Sequence, residues 1–266
     1  MNFLPDAKAA KAYPQKVSII LPTYNERGNI TDLLGRIAQT LDGVADYEVI
    51  VVDDDSPDGT AEVIRHEFGR RENVRLHVRK NARGLASAVR TGIELSTGSV
   101  VVVMDSDFNH DPKYIPQFLN LIQFYEVVVG SRFLYGGGMY SRWRYYASLL
   151  YNVFVRFSLG IPLTDKLSGF FAIRRDALQR LDYDYIFYGY GDYFIRFLMT
   201  VVSLKLSVLE IPVFYDNRPW GESKTMFFKE FLRYTTSVVR IRLNGKSAGQ
   251  RRPEQAGPVP EHPPTK

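Results

Sequence analysis

Three apolar stretches of the chain each run out into acidic residues. Val17–Leu21 is followed by Pro22-Thr23-Tyr24-Asn25-Glu26, Glu48–Val52 by Asp53-Asp54-Asp55-Ser56-Pro57-Asp58-Gly59-Thr60, and Val100–Met104 by Asp105-Ser106-Asp107. Carboxylates gathered in one place raise one another's free energy unless cations compensate them. A divalent metal on a polyphosphate is such a compensator. Asp105 and Asp107 are two residues apart, so in extended chain their side chains point the same way. They suit a pair of hard oxygen ligands for Mg2+ or Mn2+, with nucleotide phosphates and water completing the shell. Taken singly, each motif also has a structural reading: Ser56 or Asp58 can cap the next helix. The recurrence of acidic groups after successive apolar runs is what points to a shared site.

The elements that would position these residues read as an α/β pattern. Strands are expected at Val17–Leu21, Glu48–Val52, Val74–Val78, Val100–Met104 and Glu126–Val129, all rich in Val and Ile, as in a sheet buried on both faces. Helical stretches lie between them at Ile30–Leu41, Thr60–Phe68, Leu85–Leu95 and Pro112–Phe124. This alternation predicts a single Rossmann-like, mostly parallel sheet flanked by helices, with ligands outside the carboxyl ends of the strands. Further on, Ser141–Leu159, Tyr193–Leu204 and Thr225–Leu243 read as helices, and Ser168–Ile173 and Val208–Phe214 as strands. Gly136-Gly137-Gly138 reads as a flexible loop. Residues 1–16 are read as an N-terminal extension and 17–243 as one domain, its halves being 17–130 and 131–243. The last stretch, 244–266, holds five Pro, three Gly and no aromatic residue and reads as a disordered tail.

Composition narrows the chemistry. The 266 residues carry 34 Lys and Arg against 29 Asp and Glu, a net charge of +5. Cysteine is absent, which excludes disulfides, thiolate nucleophiles and cysteine–zinc sites. The four histidines are scattered, an arrangement unsuited to a histidine-based zinc site. Neither Gly-x-x-x-x-Gly-Lys-Ser/Thr nor Gly-x-Gly-x-x-Gly occurs, so metal and arginine, rather than a glycine cradle, are expected to hold phosphates. The longest uncharged run, Tyr114 to Tyr125, is twelve residues, short of the about 20 a membrane span requires. The N-terminus has no apolar core of a secretory signal. The expected location is cytoplasmic.

These motifs resemble the family 2 inverting glycosyltransferases of the GT-A fold, through Pro22–Glu26, Asp53–Thr60, Gly84-Leu85 after Arg79, and Asp105–Asp107. Later segments are similar to dolichyl-phosphate mannosyltransferases and related polyprenyl-phosphate glycosyltransferases: Gly130–Phe133, Ser168–Arg175, Glu210–Val213, and Arg218-Pro219-Trp220-Gly221-Glu222-Ser223-Lys224. The resemblance implies a nucleotide-sugar donor, GDP-mannose or a UDP-sugar, bound by Pro22, Tyr24, Glu26, Val52, Asp54, Asp105, Ser106, Asp107, Arg132, Arg218 and Lys224. It implies a metal, Mg2+ or Mn2+, on Asp105 and Asp107, with Asn109 as a further ligand. Asp107 and Arg132 would be catalytic, and Arg132, Arg144 and Ser148 would hold the phosphate of a polyprenyl or dolichyl phosphate acceptor. Tyr188–Tyr193 departs from the family pattern, which leaves the role of Asp192 open.

Charge supports the same acceptor independently. Between Val127 and Thr164 there is no acidic residue, but four arginines and nine aromatics. On a helix Arg144, Ser148, Asn152 and Arg156 share one face, while Tyr146, Leu149, Leu150, Val153 and Phe157 share another. Such a pairing suits an interfacial helix near a lipid phosphate; the alternative is a helix packed on the sheet with its basic side in water. Nucleic acid is not an expected partner, because it leaves the carboxylates unexplained. The last helix, with Phe227, Phe231, Val238 and Ile241 opposite Lys229, Arg233 and Arg240, rests on a membrane, docks a membrane-embedded partner chain or covers the sheet. The protein is thus expected at the cytoplasmic face of a membrane. A phosphate acceptor is largely dianionic at pH 7 and needs no general base; a saccharide hydroxyl would need one, with Asp192 the candidate. A metal-dependent nucleotidyltransferase and a non-catalytic nucleotide-sugar-binding subunit are the other classes the carboxylates allow.

Overall fold

The computed structural model describes residues 13–216 and 227–248, with side chains for 16–216 and 232–243. Nine strands are described: β1 (Tyr13–Thr23), β2 (Ala45–Asp53), β3 (Val74–Val78), β4 (Val100–Val103), β5 (Val127–Ser131), β6 (Gly138–Met139), β7 (Phe171–Arg174), β8 (Val208–Pro212) and β9 (Phe214–Tyr215). Seven of them form one sheet in the order β3-β2-β1-β4-β7-β5-β8, and β6 pairs with β9. The helices are α1 (Arg27–Leu41), α2 (Thr60–Phe68), α3 (Leu85–Leu95), α4 (Ile115–Leu121, after a 3₁₀ turn at Pro112–Tyr114), α5 (Arg142–Leu159), α6 (Arg175–Leu178), α7 (Tyr183–Ile186), α8 (Tyr193–Ser203) and α9 (Phe227–Ala248).

The unbroken apolar runs of the central strands serve two cores at once. Side chains alternate across a strand. Ile20, Ile50, Val52, Val101 and Val103 face a core shared with α3 and α8. Their neighbours Ile19, Leu21, Val49, Val51 and Val102 face the opposite core, shared with α1 and α4. Helix α3 lies tight on the sheet because Gly92 has no side chain: a Cβ there would stand 2.2 Å from Ile20 Cγ2.

The sheet is mostly parallel, as expected, with one exception that matters for the site. Strand β7 runs antiparallel to both β4 and β5. Its amino-terminal end therefore lies beside the carboxyl end of β4, and Ser168-Gly169 reaches the same edge as the acidic loops. Strand order also reverses at the β1–β4 pair: β2 and β3 build outward from one side of β1, and β4 pairs on the other. Crevices form at such switch points.

Several boundaries differ from expectation. Residues 13–16, read as extension, begin β1, where Tyr13 pairs with Ala45. Helix α9 continues to Ala248, so the first residues of the expected tail are helical; the rest of it lies outside the described residues. Gly138 belongs to β6, and a Cβ on Gly137 would meet the Ser131 carbonyl at 2.7 Å, so the triple glycine is a packed turn that close backbone approach demands, not a flexible loop. The segment expected as one strand, Val208–Phe214, divides into β8 and β9. Pro212 ends the first, lacking the N–H a ladder uses.

At the end of the sheet away from the acidic loops, Glu48 on β2 is 4% exposed. It accepts from Ser18 Oγ at 2.7 Å, Thr97 N at 2.7 Å, Thr97 Oγ1 at 2.8 Å and Arg75 Nη1 at 3.0 Å. Burial pushes its pKa up, but the donors outweigh burial and bring it from 4.5 to about 2. The folded state thus binds this proton less readily than the unfolded chain does. The contribution of this hydrogen-bonded carboxylate, about 3 kcal/mol, is present above about pH 4.5 and lost as pH falls toward about 2. In urea denaturation across that window, Glu48→Gln should start lower at pH 7 and converge on the parent as pH falls.

Candidate active site

The carboxyl ends of β1, β2 and β4 open into a cleft of about 690 Å3. Tyr24 and Glu26 enter it from the β1–α1 turn, Asp54 from β2, and Asp105, Ser106 and Asp107 from β4. The facing wall is made by Ser168-Gly169 ahead of β7, by Gly189-Tyr190-Gly191 ahead of α8, and by Arg233 and Tyr234 of α9.

The fold settles which aspartates of the second loop are structural. Asp53 is fully buried and accepts from Ser56 N at 2.9 Å and Ser56 Oγ at 2.6 Å. Asp58 accepts from Thr60 N at 3.0 Å and Arg27 N at 3.1 Å, joining the starts of α2 and α1. Both are turn-forming groups. Asp54 faces the cleft while its carboxylate accepts from Arg79 Nε at 2.7 Å and Gly84 N at 2.8 Å. Two further bonds, Asn25 N to Ser56 Oγ at 2.9 Å and Glu26 N to Thr60 Oγ1 at 3.0 Å, lash the first acidic loop to the second.

The β4 loop is held from behind. Asp105 N donates to His110 Nδ1 at 2.7 Å. This leaves the ring proton on Nε2, which lies 3.0 Å from the Ser168 carbonyl and 2.7 Å from Tyr215 Oη. Burial lowers the His110 pKa to about 4, against the pull of Asp107, so the imidazole is neutral at pH 7. Ser106 Oγ donates to the Pro22 carbonyl at 3.1 Å. Asn109 N and Nδ2 both donate to the Asp107 carboxylate at 3.1 Å.

This arrangement fits a divalent cation in part. Asp105 and Asp107 supply two hard oxygen ligands on one cleft wall. Among the described residues no group of three or more His, Cys, Asp or Glu converges into a metal cage, so a cation held by these two aspartates would need further ligands from a bound phosphate and water. Asn109, expected as a third ligand, is not one of the cleft-lining residues. Its amide is turned onto Asp107, which it orients.

Other expected residues lie elsewhere. Val52 is fully buried in the sheet, packed toward α3 rather than toward the cleft. Arg132 is 6% exposed and donates Nε and Nη2 to Asp165 at 2.7 and 2.8 Å, with its guanidinium over the Tyr215 ring at 4.8 Å. Burial lowers its pKa, but Asp165 more than reverses this. Its charge is already met inside the protein, and it is not among the residues lining the cleft. Arg144 and Ser148 sit on α5, outside the cleft lining. The expected polar stripe of α5 is split: Arg144 and Arg156 are exposed, whereas Asn152 turns inward and accepts from Lys166 N at 2.6 Å. Pro22 lines the cleft. Arg218 and Lys224 lie outside the described residues.

Asp192 is 6% exposed and takes hydrogen bonds from Arg196 Nη1, from Ser237 Oγ at 2.8 Å and from Tyr190 N at 3.0 Å. Burial raises its pKa, but these partners bring it below the ordinary carboxylate range. That makes it a poor proton acceptor.

Sequence reasoning missed Arg83, whose guanidinium lies 3.9 Å over the Tyr24 ring at the cleft. It also missed the supports His110, Tyr215 and Asp165, and singled out Glu210 only as part of the segment Glu210–Val213, without its role. Glu210 accepts from Thr164 N at 2.9 Å and Asp165 N at 3.0 Å, fixing the loop that carries Asp165 to Arg132. The one available signal was composition: Asp165 is the first acidic residue after the long basic, aromatic stretch.

Comparison with known proteins gives the following. Residues 18–182 match the glycosyl transferase family 2. The chain is 36% identical over 237 residues to the dolichol-phosphate mannosyltransferase of Pyrococcus furiosus, covering 85% of this chain but only 64% of the length of that relative. It is 34% identical over 216 residues to the undecaprenyl-phosphate mannosyltransferase of Micrococcus luteus, covering 79% of this chain and 87% of that one. Among solved structures, glucosyl-3-phosphoglycerate synthase from Mycobacterium tuberculosis in complex with Mn2+, uridine diphosphate and glucosyl-3-phosphoglycerate superposes with a TM-score of 0.64 at 20% identity, over 88% of this chain and 81% of that one. The likeness confirms the fold.

The two cleft aspartates should differ in what their loss does to the fold. Asp54→Ala leaves the Arg79 guanidinium buried without its partner and should cost about 3 kcal/mol. Asp107 instead accepts from the half-buried Asn109, through its backbone and side-chain amides, and Asp107→Ala should cost less, about 1 kcal/mol. Urea midpoints of the two variants check this.

Proposed function

The chain belongs to glycosyl transferase family 2, and from that premise we propose that it transfers a sugar, mannose before others, from a nucleotide-sugar donor to a polyprenyl phosphate, with inversion at the anomeric carbon. The observation that carries this reading is the cleft at the β1, β2 and β4 ends, where Glu26, Asp54, Asp105 and Asp107 meet Arg83 and Arg233. The names of relatives at 36% and 34% identity support the acceptor class.

In this reading Pro22, Tyr24, Glu26 and Asp54 receive the nucleoside of GDP-mannose or a UDP-sugar. Asp105 and Asp107 would hold Mg2+ or Mn2+, which offsets the charge of the departing diphosphate; those ions accompany UDP in the solved Mycobacterium tuberculosis structures. Asn109 and His110 keep the two aspartates in place. Arg83 and Arg233 add positive charge, with Arg218 and Lys224 assigned the same work by resemblance. Arg132 acts through Asp165, fixing the loop ahead of β7. An oxygen of the acceptor phosphate bonds to the anomeric carbon as the bond from that carbon to the diphosphate oxygen breaks. A dianionic phosphate has no proton to lose, so the reaction proceeds although Asp192 is locked in its own hydrogen bonds.

The acceptor's lipid explains an exposed apolar surface. On α5, Trp143, Tyr146, Leu150 and Phe157 are 68%, 58%, 71% and 82% exposed. On α9, which packs against α5, Leu232, Val239 and Leu243 are exposed as well. Arg142, Arg144 and Arg156 flank the α5 face, with Arg233, Arg240 and Arg242 on α9. No described helix is long and apolar enough to cross a membrane. The reading is therefore of a protein seated on an anionic, cytoplasmic membrane face through α5 and α9, with Arg144 and Ser148 near the lipid phosphate.

Incubation with labelled GDP-mannose or UDP-glucose, a divalent cation and either undecaprenyl phosphate or an oligosaccharide should yield a labelled lipid and a free nucleoside diphosphate. Asp107→Ala should reduce that product at least about a hundredfold while remaining folded. A labelled oligosaccharide, or pyrophosphate as the released product, would move the protein to another class. In flotation at low salt the parent should rise with anionic vesicles; the triple substitution Trp143→Ser, Leu150→Ser, Phe157→Ser should leave it at the bottom of the gradient, each side chain contributing about 1.5–3 kcal/mol when buried.

A further inference from the structure

The wall of the cleft opposite the aspartates is a segment with little regular structure of its own. It runs from the end of α7 at Ile186 to the start of α8 at Tyr193 and includes Gly189 at a φ of +77°. One side chain organises it. Arg196, on the first turn of α8, has no exposed surface. Its Nε donates to the Ile186 carbonyl at 3.1 Å, its Nη2 to the Tyr188 carbonyl and its Nη1 to the Asp192 carboxylate. Its guanidinium stacks on the Tyr188 ring at 3.7 Å. Asp192 in turn accepts from Tyr190 N at 3.0 Å. The backbone of Ile186, Tyr188 and Tyr190 is thus tied to one buried ion pair.

The same pair reaches α9. Ser237 Oγ donates to Asp192 at 2.8 Å. Three residues earlier Tyr234 closes over the loop: a Cβ on Gly191 would stand 2.1 Å from its hydroxyl. Arg233 lies 5.3 Å over the Tyr190 ring. Loop, α8 and α9 are therefore joined at the rim of the cleft, where Gly189, Tyr190, Gly191, Tyr193, Phe194, Arg233 and Tyr234 touch its space. Asp192 and Arg196 stand behind that surface.

We propose that Asp192, Arg196 and Ser237 are positioning residues: together they latch the Gly189–Gly191 wall to α9 and so set the affinity for the donor, without exchanging a proton with any substrate. The physical basis is the cost of separating a buried pair. If the loop swings away from α8, a guanidinium with no access to water loses a carboxylate and two carbonyls at once. The wall is held in one place, and the donor meets a surface already formed rather than one it must order. This inference rests on the reading that the cleft takes a nucleotide sugar.

The test uses the full chain with undecaprenyl phosphate and the preferred donor, measuring donor KM, kcat and the pH profile for Asp192→Asn, Arg196→Lys and Ser237→Ala. Asp192→Asn and Arg196→Lys should each raise donor KM about tenfold, and Ser237→Ala about threefold, as expected for one weakened or lost hydrogen bond. In all three kcat should stay within about threefold of the parent, and the pH profile should not move. A kcat loss of more than about a hundredfold in Asp192→Asn, with the acidic limb of the profile gone and KM unchanged, would make Asp192 a general base and overturn the proposal. An unchanged KM in Ser237→Ala would overturn it too. That variant removes a single hydroxyl, so it decides the matter if either ion-pair variant fails to fold. Titration of the parent with UDP or GDP and Mn2+ is a separate arm: no binding there defeats the donor reading itself, and this proposal with it, before any variant is made.

Discussion

Crowded carboxylates at one edge of a sheet are the constraint around which this protein is built. Asp53, Asp54, Asp58, Asp105 and Asp107 stand at the ends of two strands that flank β1, and each needs a different answer to its neighbours' charge. Asp53 is answered by the backbone and hydroxyl of Ser56, Asp58 by the start of α2, and Asp54 by the Arg79 guanidinium. The Asp105–Asp107 pair is treated otherwise. Two of its supports, His110 and Asn109, are neutral and fix its geometry. In the proposed reading that geometry serves a cation accompanying the donor diphosphate.

The antiparallel strand β7 ties this acidic edge to the rest of the molecule. Because it runs against β4 and β5, the segment leading into it crosses the cleft mouth. There Ser168 meets His110 and Tyr215, and Asp165 meets Arg132. Arg132 also lies over the Tyr215 ring. A buried route thus joins the backbone of Asp105 to the end of β5 and, through Glu210, to β8. Arginine suits its place there because its planar fork satisfies both oxygens of one carboxylate. Lysine would make a single contact.

What the sequence disclosed follows from the range of the interactions involved. The strands were legible because a sheet buried on both faces needs continuous Val and Ile, and because each run ends in turn-forming residues. The placing of Glu26, Asp54, Asp105 and Asp107 at strand ends needed no more than that local pattern. The burial of Asn152 was not legible, since four-residue spacing only approximates a helical face and Lys166 turns the amide inward. Neither was the fate of Arg132: its partner lies 33 positions on and is delivered by an antiparallel crossing that no local pattern encodes. His110 sits three residues after Asp107, yet the enclosure that keeps it neutral comes from segments far along the chain, among them Ser168 and Tyr215, 105 positions away.

The chemistry of the acceptor and the architecture of the second half bear on each other. An enzyme that deprotonates a hydroxyl must leave a carboxylate or imidazole basic and within reach of the reacting oxygen. Here the carboxylate expected for that work is instead consumed by Arg196, Ser237 and the backbone of Tyr190, and the histidine near the site is neutral and enclosed. With a phosphate nucleophile that sacrifice has no chemical penalty, so those polar groups are free to build the cleft wall. In the proposed reading the demand shifts to bringing two anions together and to finding one of them at a lipid surface. Arginines on and beside α5 and α9, set among exposed tryptophan, tyrosine, leucine and phenylalanine side chains, answer both requirements with the same pair of helices.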